Sequence, residues 1–226
     1  MHSPGSRRVG FTVIEIMVVV AIIAVFAALA VPSWRQYQAN LQLRAAARTV
    51  SNAYSYARAH ALATGNRHVV VFAVTPNDVC GNAIEDVQGN PVPVLVYEDL
   101  DDNCCFDAGE LRLSERAVAG VNWGVTPAPP AGPGPSLQDV GGGDYSTGSS
   151  FAEPDGSDAA WVSFGPDGIP LAFNVACNLG TTGTGAGAIY LNNGLADTPR
   201  NYAIVLNPLG TGNVERFDSV QSQWKN

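Results

Sequence analysis

Gly10-Phe11-Thr12-Val13-Ile14-Glu15 opens the stretch that decides the class of this chain. From Phe11 the sequence runs FTVIEIMVVVAIIAVFAALAV, residues 11–31, and Glu15 is its only charge. About 20 apolar residues on a helix span the hydrocarbon core of a bilayer. Arg7 and Arg8 precede the run. Basic residues stay on the cytoplasmic side, so everything beyond residue 31 is expected outside the cytoplasmic membrane. A secretory signal peptide is a competing reading, because Ala28-Leu29-Ala30 is a small-x-small match for its cleavage site. Signal cores, however, run only to roughly 7–15 apolar residues and have no use for a carboxylate. A plain membrane anchor has no use for Glu15 either, since an ionisable group inside a bilayer is expensive and marks function.

Outward from this run, Pro32 follows at once and is expected to kink the helix, having no N–H to donate. Between Ser33 and Leu62 there is no proline or glycine. Trp34, Tyr37, Leu41, Ala45, Val50, Tyr54, Ala57 and Ala61 recur mostly three or four apart, which predicts an amphipathic helix. Arg35, Arg44, Arg48 and Arg58 fall mainly off that stripe, and Gly65-Asn66 suits a helix end. One helix over residues 11–62 would be roughly 78 Å long.

After Gly65 short β-branched runs alternate with Gly, Pro, Asn and Asp. Strands are expected at 68–74, 92–98, 111–113, 118–123, 161–164, 169–173, 188–191, 202–206 and 214–217. The fold class is therefore α+β: a long helix with a transmembrane half and an amphipathic half, the latter packed on an antiparallel sheet. Residues 126–158 stand apart. TPAPPAGPGPS at 126–136 carries five prolines and GGGDYSTGSS follows, so a long insertion is expected there.

Charge is divided along the chain. Residues 1–67 hold seven Arg and Glu15, a net +6, while residues 68–226 net −14. Such a head argues against nucleic acid as a partner, because phosphate backbones require clustered Lys and Arg. Four cysteines, Cys80, Cys104, Cys105 and Cys177, point to two disulfides in an exported domain, with three pairings open. His2, His60 and His68 are scattered, and no zinc spacing occurs. Asp99, Asp101, Asn103, Asp107 and Glu110 fall at positions 1, 3, 5, 9 and 12 of a twelve-residue loop, the oxygen pattern of an EF-hand-like Ca²⁺ site. Cys105 would add a carbonyl there, but Cys104 occupies the place of the turn glycine. The bland alternative is an acidic turn held by side-chain-to-backbone Asx bonds.

The N-terminal residues resemble the prepilin peptidase site of type IV pilins and type II secretion pseudopilins: a basic leader, Gly10, Phe11, Thr12, Glu15 and an unbroken apolar run. That resemblance implies a leader of residues 1–10, cleavage between Gly10 and Phe11, and N-methylation of Phe11. It also implies a pilin fold, in which Glu15 answers the N-terminal amine of a neighbouring subunit. A lone buried charge is costly and a paired one tolerable, so the pair would set the register of assembly. Four further stretches resemble the GspH/FimT group of minor pilins and pseudopilins: RAAARTVSNAYSYARAHA at 44–61, VYED at 96–99 with DAGELRL at 107–113, VSFGPDGIP at 162–170, and YAIVLN at 202–207 with GNVER at 212–216. Some members of that group take up DNA through an Arg-rich turn, roughly G-R-x-R. Here that place reads Gly212-Asn213-Val214-Glu215, so no DNA-binding residues carry over.

The segments then read as leader 1–10, membrane and filament-core helix 11–31, amphipathic helix 32–64 and a β-rich periplasmic head 65–226. The expected function is a non-enzymatic minor pilin that primes or caps a type IV pilus. Its partners would be other pilins, prepilin peptidase and, before assembly, the inner membrane. A pseudopilin of the type II secretion system is the nearest alternative, and a tip adhesin or DNA-uptake module is the alternative of another class. No G-x-S-x-G, H-E-x-x-H or P-loop suggests an enzyme.

Overall fold

The computed structural model describes residues 11–86, 88–107, 109–110, 112–115, 120–125, 147–218 and 223–225. The leader with Gly10, most of the insertion (126–146), Leu111 and residues 116–119 lie outside the described residues. The chain divides into two units, Met1–Gln38 and Ala39–Asn226.

Helix α1 is continuous over Val13–Thr64, with Pro32 inside it. Within the first unit its apolar side chains are exposed, from Val13 at 79% to Val31 at 48%. Among the described residues nothing in that unit covers them, and such a surface suits a solvent other than water. Within the second unit the same helix is half buried. Leu43, Ala46, Ala47, Val50, Ala53, Tyr54, Ala57 and Ala61 form the buried stripe. The spacing read from sequence had placed Leu41 and Ala45 on it, and both are exposed. The true stripe is rich in alanine, whose hydrophobicity is too slight to stand out against its neighbours. Small side chains let the helix axis approach the sheets closely, and Gly212 continues this: a Cβ there would sit 3.2 Å from the Tyr54 ring.

Two antiparallel five-stranded sheets, rather than one, make up most of the head. The first has strand order β3(Arg112–Glu115), β2(Val94–Asp99), β1(Arg67–Phe72), β7(Trp161–Phe164), β8(Pro170–Leu171). The second has order β12(Gln223–Lys225), β11(Gly212–Asp218), β10(Asn201–Leu206), β9(Gly187–Asn192), β4(Asn122–Trp123). The main core joins α1 to one face of each sheet, through Val70, Phe72, Val96, Phe164, Ile189 and Ile204 among others. Each sheet also buries its other face. Val69, Val71 and Tyr97 pack with Phe173 and Cys104 on the first, and Tyr190, Ala203 and Val205 with Trp224 on the second. This explains why the central strands read as continuous apolar runs rather than alternating ones. The antiparallel order and the long helix match the expected α+β class.

The described end of the insertion contains a short hairpin. Phe151–Ala152 (β5) pairs with Asp158–Ala159 (β6) around a Pro154-Asp155-Gly156 turn. Phe151 is buried, stacked on Phe72 with centroids 5.9 Å apart and edge-on to Tyr54 at 6.3 Å. The flanks of residues 126–146 meet at one place. Gly124 N donates to the Tyr190 carbonyl, and Tyr190 N donates to the Gly148 carbonyl.

Four turns share one device. At Asp78, Asp86, Asn174 and Asn207 a side-chain oxygen accepts the N–H groups two and four residues on. The carbonyl of the same residue accepts the N–H three residues on. That third residue has positive φ: Gly81 at 85°, Gly89 at 78°, Gly210 at 80° and, unusually, Cys177 at 52°. Glycine reaches this region at no steric cost, whereas a side chain does not.

Candidate functional site

The first candidate is the start of α1. Thr12 precedes the first helical residue and Glu15 sits in the first turn. The Thr12 hydroxyl accepts the Glu15 N–H at 3.2 Å, and the Glu15 carboxylate accepts the Thr12 N–H at 3.4 Å. This is a capping box, in which two N–H groups that lack helical partners are satisfied reciprocally. The T-x-x-E spacing carried that signal in the sequence, and the reading of Glu15 as a bare charge missed it. Phe11 is 80% exposed. A carboxylate at a helix N-terminus is also favoured by the helix dipole.

The second candidate is the acidic loop after β2. Its five expected oxygen side chains do not gather round one point. Asp99, Asp101 and Glu110 each bring an oxygen within 4.8 Å of the others, a spacing a cation could use. Asn103 and Asp107 are instead tied to each other at 2.7 Å. The carboxylates are already engaged. Asp99 accepts the N–H groups of Asn103 and Cys104, Asp101 accepts from Asn103, and Glu110 accepts those of Leu100 and Asp107. The positive charge comes from Arg67, 32 residues earlier in β1 and so invisible to any local motif. Its guanidinium lies 3.0 Å from Asp99 and 3.1 Å from Asp102. Burial raises the Asp99 carboxyl above its ordinary value, against the Cys104 N–H and Arg67, which pull it down. Burial likewise raises Glu110. These bonds are those an acidic turn makes, while the oxygens of Asp99, Asp101 and Glu110 stay close enough together for a cation.

Two disulfides pin it. Cys80 is bonded to Cys105, and Cys104 to Cys177. The adjacent pair Cys104-Cys105 therefore ties the loop to two of the Asx turns, one at 78–82 and one at 174–178. Cys104 itself takes φ of 64°, supplying the left-handed turn for which a glycine had been expected. Tyr97 closes the loop from below, its hydroxyl donating to the Cys104 carbonyl at 2.7 Å.

Where the Arg-rich turn would stand, Glu215 is fully buried, and neither of its oxygens has a hydrogen-bond partner among the described residues. The nearest cleft, lined by Pro199, Arg200, Arg216, Phe217 and Asp218, is small, at about 200 Å³.

These features can be set beside known proteins. Residues 6–31 match the prokaryotic N-terminal methylation motif. Two curated fimbrial proteins of Pseudomonas aeruginosa are each 42% identical over 69 residues, which is 30% of this chain. The match spans 43% of the length of those relatives. No solved structure matches. A methylation motif together with one helix long and apolar enough to cross a membrane fits a membrane-anchored pilin-like chain. The chain is a type IV pilin-like protein.

Proposed function

We propose that the chain is a structural minor pilin, which primes or caps assembly of a type IV pilus and performs no catalysis. The observation that carries this reading is the exposed apolar helix of residues 13–31, which lies within the methylation-motif match of residues 6–31 and bears Glu15 as its only charge. Residues 1–10 serve as leader, and prepilin peptidase cuts between Gly10 and Phe11. Phe11 is then methylated, and the helix holds the subunit in the inner membrane with residues 65–226 in the periplasm. The cut creates a cationic amine at Phe11, one residue before the capping Thr12. Glu15 rests against Thr12 in the single subunit. On assembly it exchanges that weak contact for the amine of an adjacent pilin, a charge-assisted bond that is stronger in an apolar medium. The net −14 of residues 68–226 argues against DNA uptake, which needs clustered Lys and Arg.

Intact mass of the membrane-extracted protein tests the processing: a start at methylated Phe11 is expected, and a start at Val31 would refute it. Deletion of the gene should abolish surface pili while secretion of type II substrates persists. The opposite pattern would assign the chain to the secretion pseudopilus.

A further inference from the structure

We infer that Trp34 and Tyr37 form an interfacial anchor that seats in the phospholipid head-group layer and fixes the depth of the subunit in the membrane. The inference rests on the proposed reading that residues 13–31 span the bilayer.

The geometry of the first unit carries it. Residues 13–31 of α1 rise about 28 Å, close to the ~30 Å of a hydrocarbon core. Trp34 begins three residues beyond Val31, about 4.5 Å further along the axis, where the head-group layer starts. Tyr37 is one turn on and shares its face. The two rings lie 6.1 Å apart, centroid to centroid, and tilted at 37°. Both are exposed, Trp34 at 60% and Tyr37 at 56%, whereas the described Trp, Tyr and Phe rings of the second unit are buried or half-buried. Each ring has an apolar body and one polar hydrogen, the combination that favours the boundary between hydrocarbon and water. Arg35 stands between them, exposed and without an ion pair among the described residues. No acidic residue occurs between Glu15 and Asp78, so no carboxylate nearby in sequence competes with lipid phosphate for it. A protein partner for the rings would need a facing apolar pocket, whereas a lipid surface needs only this depth and this amphipathic shape.

The test uses the full chain reconstituted in vesicles of phosphatidylethanolamine and phosphatidylglycerol that carry a brominated phosphatidylcholine. Bromine quenches tryptophan on contact, and its depth is set by its position on the acyl chain. The emission of the wild type minus that of Trp34→Phe isolates Trp34, because Trp123, Trp161 and Trp224 lie in the head. The Trp34 signal is expected to be blue-shifted and to be quenched more by bromines near the glycerol end than by bromines at mid-bilayer. Arg35→Gln should reduce the difference between anionic and purely zwitterionic vesicles. If the chain floats with the vesicles but its Trp34 signal is unquenched, or is quenched most from mid-bilayer, the anchor is refuted and the membrane reading survives. If the chain fails to float, both fall.

Discussion

Cys104 and Cys177 are joined by a disulfide although both stand in the left-handed backbone region, at φ of 64° and 52°. Each fills the glycine position of a tight turn, so the bridge ties together two turns that each bend without a glycine. Arg67 lies against both sulfurs, at 3.5 and 3.3 Å. The bond closes a separation of 73 residues, against 25 for Cys80–Cys105. A longer closed loop restricts the unfolded chain more. Cys104→Ala with Cys177→Ala should therefore destabilise the head by about 1 kcal/mol more than Cys80→Ala with Cys105→Ala. Thermal melts of the two double variants, with the wild type as reference, check the order.

The acidic loop takes its positive charge from Arg67. Removing the guanidinium leaves buried Asp99 with a charge and fewer partners, which is costly in a dry site. Arg67→Met should lower the melting temperature clearly, by a loss of about 3 kcal/mol. A chelator added to the wild type should leave its melting temperature unchanged. A fall on chelation, restored by Ca²⁺, would show that the converging oxygens of Asp99, Asp101 and Glu110 hold a cation after all.

Glu215 presents the reverse case. Among the described residues Glu215 is a fully buried carboxylate without a hydrogen-bond partner, an arrangement that opposes folding where a well-packed apolar side chain does not. Glu215→Met should raise stability at neutral pH by about 1–3 kcal/mol. A lower melting temperature for this variant would mean that Glu215 has an essential partner in the folded head.

His68 gives the head a pH dependence. Burial pushes its imidazole below the usual value of 6.5, with the Asn66 carbonyl and Glu98 pulling the other way and His60 adding to the fall. The unfolded chain then binds a proton more readily than the folded one. Stability from this group is fully present above about 6.5 and is lost as pH falls below it. His68→Gln should flatten that part of the profile, as read from denaturant midpoints between pH 7 and 5. An unchanged slope would remove His68 as its source.

Much of this molecule was legible in the sequence because its strongest signals are local. The run from Phe11 to Val31 needs only a count of charges, and Trp161–Phe164 emerged with its limits intact. Strands such as Asn201–Leu206 were found to within a residue, since both faces are buried and the run is apolar throughout. The division into two sheets was not legible, because strand order depends on pairings such as Val70 with Val162 that no local pattern encodes. Thr12 and Glu15 carried a readable capping signal that the lone charge obscured. The partners of the acidic loop were hidden for a different reason: Arg67 and Cys177 approach it from distant strands and turns, and only the closed fold brings them there.

Tyr190 receives one flank of the Pro/Gly-rich stretch on its carbonyl and offers its amide to the other. Both flanks therefore meet at a single rung of the sheet, whose register is held there by Gly124, Gly148 and Tyr190. A sequence grafted between Val125 and Thr147 would begin and end beside that one rung.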